Sequence, residues 1–380
     1  MNQPESLKNL SAVLVNKKGY KLSMTIGLDG FVDEIVHLVD KRLDYANYTR
    51  IPTIAEWGAR ISRAAGLSTN MEMVTVQTKL GGNGPILSNA LLEYGVELTY
   101  VGNLGKPDIH PVFKPMAEKA KAVYSLANPG HTDAAEFEDG KVMLGKHFTL
   151  KEITWDAMKD AMGGAPGIAK VADECHLFGM ENWTMLPHMS SIWQGMINEV
   201  FPLMKRTGEK PLAFFDLADP EKRAKEDIHA AMKLIGQFEQ KFRAVLGLNE
   251  KELYEIADVF DITYENDQSP ATLQKTTLAV YEKMGIHCLV VHPVHTACCV
   301  IGGQYYDVSG PYCAKPVLTT GAGDNFNAGF CLGLSLELEP LQALQLGVST
   351  SGFYVRNAHS PTFDQVIDFI NKWSEGKVSA

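Results

Sequence analysis

Three small residues, Gly321, Ala322 and Gly323, stand directly before an acid, Asp324, in the stretch TTGAGDNFNAGF at 319–330. Apolar and small residues at helical spacing follow, so the acid sits at the mouth of a helix. A helix N-terminus presents unpaired N–H groups and positive partial charge. Glycines let a ligand reach those donors with little side chain in the way. The result is a cradle for a phosphoryl group, whose charge is spread over three oxygens. An acid beside the cradle would repel phosphate and needs another purpose. The economical one is to take the proton of a hydroxyl that attacks phosphorus. The same residues permit a plainer reading, in which Thr320 caps the helix and Asp324 complements its positive end. Two other phosphate loops are excluded. A dinucleotide fingerprint would need glycine at 326, where Phe326 stands, and no G-x-x-x-x-G-K-[ST] loop occurs.

The elements that must position such a site are legible along the chain. Leu7, Leu10 and Leu14 recur at helical spacing and predict a helix over 4–17. LSMTIGLDGF (22–31) predicts a short buried strand ending in Gly and Asp. Residues 51–65 predict a helix opened near Pro52, and MEMVTVQTKL (71–80) a half-exposed strand. GGNGPILSNALLEYGVE (81–97) predicts a glycine turn into a helix, and LTYVGNLG (98–105) a further strand. Residues 132–147 predict a hairpin around Asp139-Gly140. From 172 onward strands and helices alternate: ECHLFGM, a helix over 188–205, PLAFFDLAD, a helix over 223–242, RAVLGLNEKE and HCLVVHP. ACCVIGGQYYDV (297–308) closes the series as a hairpin turning at Gly302-Gly303. Such alternation implies a mostly parallel sheet covered on both faces. The half-polar strands of the first 150 residues fit that core less well and predict a small separate sheet.

TTGAGDNFNAGF closely resembles the C-terminal signature of the ribokinase (PfkB) family of sugar kinases. The resemblance implies a ribokinase-like three-layer α/β sandwich, with a central, mostly parallel sheet and a small β-sheet lid. It implies transfer of the γ-phosphoryl group of ATP, with Mg2+, to a hydroxyl of a sugar or related polyol. It places an anion hole on Gly321, Ala322 and Gly323, the catalytic base on Asp324, and Thr320 beside the nucleotide. KLGGNGPILSNALLEYGVELTYVGNLGKPD (79–108) looks like the family's first signature. There Gly81 and Gly82 would let the sugar lie against backbone, and Asn83 would bond a hydroxyl. GLDGFVDEIV (27–36) resembles the first strand, whose terminal Asp binds sugar hydroxyls; Asp33 is the first match and Asp29 the second. LGLNEKE resembles the N-x-x-E motif and puts Asn249 and Glu252 on the nucleotide side, with Glu252 ordering magnesium through water. LFGMEN puts Glu181 at the substrate edge.

Taken singly, these residues have ordinary structural readings. Gly81-Gly82 reads as a turn, Asn249-x-x-Glu252 as a capped helix start, and an Asp after a strand as a cap or turn residue. Asp216 and Asp219-Pro220 read as cap and turn after their strand, and Arg223 fits the family's acid-and-Arg stretch there. His292 and His295 lack a third metal ligand in sequence, and Pro293 interrupts any helix between them. It is the combination, in order, that points to a kinase. Departures from the pattern are Leu318 in place of Asp, Ile86 in place of Asn, and HPVHT (292–296) in place of a Thr-x-Gly near the nucleotide. The alternatives are a nucleoside kinase of the same fold and a catalytically weak ligand-binding regulator on this scaffold.

Composition agrees. The chain has 380 residues, 35 basic against 45 acidic, a net charge of -10 and no Lys/Arg-rich face, which argues against a nucleic-acid partner. No apolar run approaches the ~20 residues of a membrane span. The six cysteines form no C-x-x-C pair and sit mostly in apolar runs, as buried free thiols of a reducing cytoplasm would. The expected organisation is one kinase domain over 1–380, with a helical extension at 1–20 and lid segments near 37–80 and 130–148. An exposed lid sheet can pair with a twin or stand alone, so the sequence leaves open both a homodimer through the lid and a monomer.

Overall fold

The computed structural model describes residues 2–267 and 269–378. Its strands are β1 (Ser23–Leu28), β2 (Phe31–Arg42), β3 (Tyr48–Arg50), β4 (Met73–Gly81), β5 (Glu97–Gly102), β6 (Ala122–Ser125), β7 (Gly130–Glu136), β8 (Lys141–Lys146), β9 (Leu177–Glu181), β10 (Leu212–Asp216), β11 (Arg243–Leu248), β12 (Cys288–Val291), β13 (Thr296–Ile301) and β14 (Gln304–Ser309). Its α-helices are α1 (Gln3–Asn16), α2 (Ile54–Arg63), α3 (Asn83–Glu93), α4 (Lys114–Lys119), α5 (Trp155–Met162), α6 (Gly164–Glu174), α7 (Met189–Gly195), α8 (Lys225–Gln237), α9 (Glu250–Val259), α10 (Pro270–Met284), α11 (Ala322–Ser335), α12 (Pro340–Asn357) and α13 (Phe363–Ser374).

Nine strands form the central sheet, in the order β14-β13-β12-β11-β10-β9-β1-β5-β6. All neighbours are parallel except the β12–β13–β14 meander at one edge. Strands such as β10, LAFFD, are buried at every residue, because helices cover both faces. One face packs on a core that includes Ile168, Trp193, Ile235 and Ile256 from α6, α7, α8 and α9. The other packs on Leu10, Leu91, Phe330, Leu344 and Ile370 from α1, α3, α11, α12 and α13. This is the expected three-layer sandwich. The N-terminal helix is part of it: Lys18 pairs with Asp364 at 2.6 Å, Tyr20 meets Phe363 edge-on, and Gln345 donates to Ser6.

The lid is a second sheet of five strands. β2 is its spine, antiparallel to β4 and β3 and parallel to β7, which pairs with β8. The predicted hairpin and half-exposed strand are both here. The lid's own core is small: Val36, Leu38, Ile51, Ala135 and Phe137, covered by α2 through Ile54 and Trp57. Trp57 stacks on Phe137 at 5.5 Å.

One expectation is corrected. The first strand ends at Leu28, so Asp29 follows it directly, whereas Asp33 is the third residue of β2, in the lid. The reason lies in Asp29, whose carboxylate accepts from Asn83 N at 3.0 Å and Gly84 N at 2.8 Å. It caps α3, whose own N-cap residue, Gly82, carries no side chain. That duty fixes where β1 stops.

Candidate active site

The floor of the site is the N-terminus of α11. Gly321 occupies the N-cap position at φ +90°, a conformation that favours glycine, and no side chain caps the helix. Thr320 therefore does not cap; its carbonyl instead accepts from Tyr354 Oη at 2.8 Å. Asn325 Nδ2 ties back to the Gly321 carbonyl at 2.9 Å. The turn is packed from two sides. A Cβ on Gly321 would lie 2.9 Å from Tyr354 Oη and 3.2 Å from Ile86, and one on Gly323 would lie 3.1 Å from the His292 ring. His292 in turn lies against Phe326, ring centroids 5.0 Å apart and planes tilted by 39°.

Asp324 is buried within the first turn of α11. Burial, reinforced by the Asp29 charge, pushes its carboxyl up to about 8, against the pull of Asn83. The acid is thus poised near neutrality rather than simply ionised. Asn83 meets both acids, Asp29 through its backbone N–H and Asp324 through its side chain. Asp29 is raised to about 6 by burial, moderated by the Asn182 amide at 2.8 Å and the α3 amides.

The two glycines before α3 are needed sterically. A Cβ on Gly81 would collide with the Asp33 carboxylate, and one on Gly82, at φ +98°, would lie 2.9 Å from Asp29 Oδ2. Asp33 therefore hangs from the lid against the Gly81 backbone. Burial raises its carboxyl, and Lys79 and the Thr132 hydroxyl oppose the rise.

On the far side, Asn249 and Glu252 make a complete capping box at the start of α9. Glu252 accepts from Asn249 N at 2.8 Å and from Asp219 N at 2.9 Å. That second bond holds a turn in which Ala218 and Asp219 both take left-handed φ, 59° and 58°. Asp216 steadies the same turn through Ala218 N and accepts from Asn327 Nδ2 at 3.1 Å. The ordinary capping reading of this pair is correct as far as geometry goes: both Glu252 oxygens accept from backbone N–H groups. Arg223 stays outside, donating to the carbonyls of Thr184, Trp183 and Leu186 after β9.

Glu181 is buried at the end of β9. It is 1% exposed, both carboxylate oxygens are buried without a partner, and Oε1 turns back toward Gly179. Burial first, and then the charges of Asp216, Asp324 and Asp29, hold its carboxyl well above the usual range. Asp216 is raised likewise by burial and by Glu252 and Asp324. Among the described residues, no Lys or Arg forms an ion pair with Asp29, Glu181, Asp216, Glu252 or Asp324. Sequence reasoning missed Asn182, Asn327, Tyr354 and Lys79. Asn327 alone had a signal, three residues after Asp324 and so on the same helix face.

The chain matches the family profile described as prokaryotic ketohexokinase over residues 18–373. A curated ketohexokinase from Haloferax volcanii is 27% identical over 345 residues, covering 90% of this chain and 89% of that protein. Among solved structures, the ribokinase of Thermotoga maritima superposes with a TM-score of 0.61 at 16% identity, over 92% of this chain and 99% of that one. The fructokinase of Xylella fastidiosa, solved with bound ATP, gives 0.62 at 12%, over 93% and 100%. The fold is thus ribokinase-like, and with the family match it defines a carbohydrate kinase, a phosphotransferase with an alcohol group as acceptor. Within that class the chain belongs to the prokaryotic ketohexokinase family.

Proposed function

We propose that this kinase transfers the γ-phosphoryl group of ATP to a hydroxyl of a ketohexose. The observation that carries the mechanism is the uncapped N-terminus of α11, with a buried acid within its first turn. Asp324 takes the proton of the acceptor hydroxyl as its oxygen bonds to the γ-phosphorus; the bond from that phosphorus to the bridging oxygen breaks, and ADP leaves with the electron pair. The amides of the Gly321-Ala322-Gly323 turn face the transferring oxygens, where donors fixed in advance lower the barrier most. Asn83 and Asp33 hold acceptor hydroxyls, and Gly81 and Gly82 let the sugar approach backbone.

The unpaired acids suit Mg2+ bound with the nucleotide. Asp216 and Glu252 lie on that edge without cationic partners, and Glu252 would hold the ion through water. When bound, the ion neutralises phosphate charge. Thr320 and Asn249 border the nucleotide. Two copies would pair through the free edge of β4, where Met73 and Val76 are exposed; sedimentation of the purified protein tests that assembly. A panel of ketohexoses, aldoses, sugar phosphates and nucleosides, assayed for ATP consumption, tests the acceptor. D-fructose should lead, and a preference for a nucleoside would overturn the reading.

A further inference from the structure

A cavity of about 690 Å³ lies between the lid and the body, next to the Gly-Ala-Gly turn. Ile35, Gln77 and Lys79 form its lid wall, and Ile86, Leu318 and Thr320 belong to the facing wall. Two of the three departures from the ribokinase pattern, Ile86 and Leu318, thus share one wall. Where the pattern has a side chain able to bond a hydroxyl, this chain presents hydrocarbon. A polyol moving from water against such a wall must find its hydrogen bonds on the other side.

Lys79 is there. It is the register partner of Asp33 in the antiparallel β2–β4 pair, so both side chains leave the same face of the lid. Lys79 is half-buried, and among the described residues it has no hydrogen-bond or ion-pair partner; Asp33, Lys141 and Glu136 act on it only through their fields. A carboxylate and an ammonium therefore stand side by side without closing on each other. That pair suits two neighbouring hydroxyls. The carboxylate accepts from one O–H, and the ammonium donates to the oxygen of the other.

We propose that Lys79 is a specificity-determining residue that, with Asp33, grips a vicinal diol of the acceptor from the lid, replacing the contact that Ile86 cannot make. The inference rests on the kinase reading above. It puts part of the acceptor's recognition on the lid, so the sugar is fully held only when lid and body meet around it.

The test uses the full-length enzyme and the polyol that the wild type turns over fastest. Lys79→Met should raise the acceptor KM about 10- to 100-fold, as loss of a hydrogen bond from a charged group does. The ATP KM should stay within about twofold, since no nucleotide contact is removed. Lys79→Arg should recover part of the loss, and Ile86→Asn should recover part of it in the Lys79→Met background. A deoxy analogue lacking the gripped hydroxyl should be insensitive to Lys79→Met, the signature of a direct pair in a double-mutant cycle. An unchanged acceptor KM in Lys79→Met would overturn the inference alone, as would equal increases in both KM values with a lowered melting midpoint. Turnover of no polyol by the wild type would overturn the functional reading and this inference with it.

Discussion

At the floor of the site, α11 buries every residue from Asp324 to Leu334, between the central sheet and α12. In the lid, α2 buries none, and five buried residues make up the whole local core. Both regions hold acids that the proposed reaction uses. Asp324 is fixed by a helix with nowhere to go. Asp33 stands on a strand of the thinly packed lid sheet. The difference separates two tasks. Contacts made to the transferring phosphoryl group must be preorganised to about half an ångström, and a rigid core supplies that. Contacts that admit and enclose a sugar must open and close, and a thinly packed sheet supplies that.

The comparison breaks most visibly at Asp324. Asp324→Asn should lower turnover about 10²–10⁴-fold, the range for loss of a general base, with acceptor affinity little changed. Near-normal turnover would remove Asp324 from the chemistry. The wild-type rate should also rise with pH toward about 8, because the base works only when ionised and burial holds its carboxyl near that value. The same burial acts on stability. A carboxyl raised in the folded state contributes stability that is complete below its unfolded value near 4 and is lost as pH rises through the folded value. Asp324→Asn should therefore gain in melting midpoint over the wild type between pH 5 and pH 8, and a constant offset across that window would contradict the assigned shift.

On the lid side, Asp33→Ala should weaken acceptor binding by about tenfold or more and ATP binding little, by loss of charge-assisted hydrogen bonds. Asp29→Ala is the contrasting variant. It uncaps α3, so its main signature should be a stability loss of about 0.5–2 kcal/mol, read by denaturant titration. If Asp29→Ala gives the acceptor defect and Asp33→Ala does not, the roles of strand end and lid are reversed.

Smaller effects should follow at the two edges. Glu252→Gln should raise the magnesium concentration needed for half-maximal rate by a few-fold, while leaving the acceptor KM in place; the rate against free magnesium at fixed ATP reads it. Trp57→Ala removes the ring stacked on Phe137, worth roughly 0.5–1.5 kcal/mol beyond its area. It should loosen the lid locally, raising the acceptor KM about threefold while the global melting midpoint barely moves. A global loss instead would show that lid and body unfold together.

Much of the floor was legible because its chemistry is local in sequence. Gly321 to Asp324 are consecutive, and Asn249-x-x-Glu252 is one turn of helix. The acceptor side was less legible because it depends on which sheet a residue joins. GLDGFVDEIV reads as one strand, yet β1 ends at Leu28, and Asp33 belongs to β2 in the other sheet. Alternation marks a half-exposed strand but not its partners, so the pairing of Lys79 with Asp33, 46 positions apart, had no local signal. Glu181 stood at a strand end in both views. Its burial depends on what packs over the end of β9, which no spacing rule encodes.

The contact of α1 with α12 and α13 bears on how the chain is made. Ser6 and Gln345, 339 residues apart, share a hydrogen bond, and Tyr20 rests on Phe363. On the ribosome, α1 emerges long before the helices that cover its leucines. During that interval Leu7, Leu10 and Leu14 have no permanent place to go, and the core on that face stays open. Synthesis at roughly 5–20 residues per second makes the wait tens of seconds. One half of the sandwich therefore closes last, and a chaperone that shields an amphipathic helix has most to protect at the end that appears first.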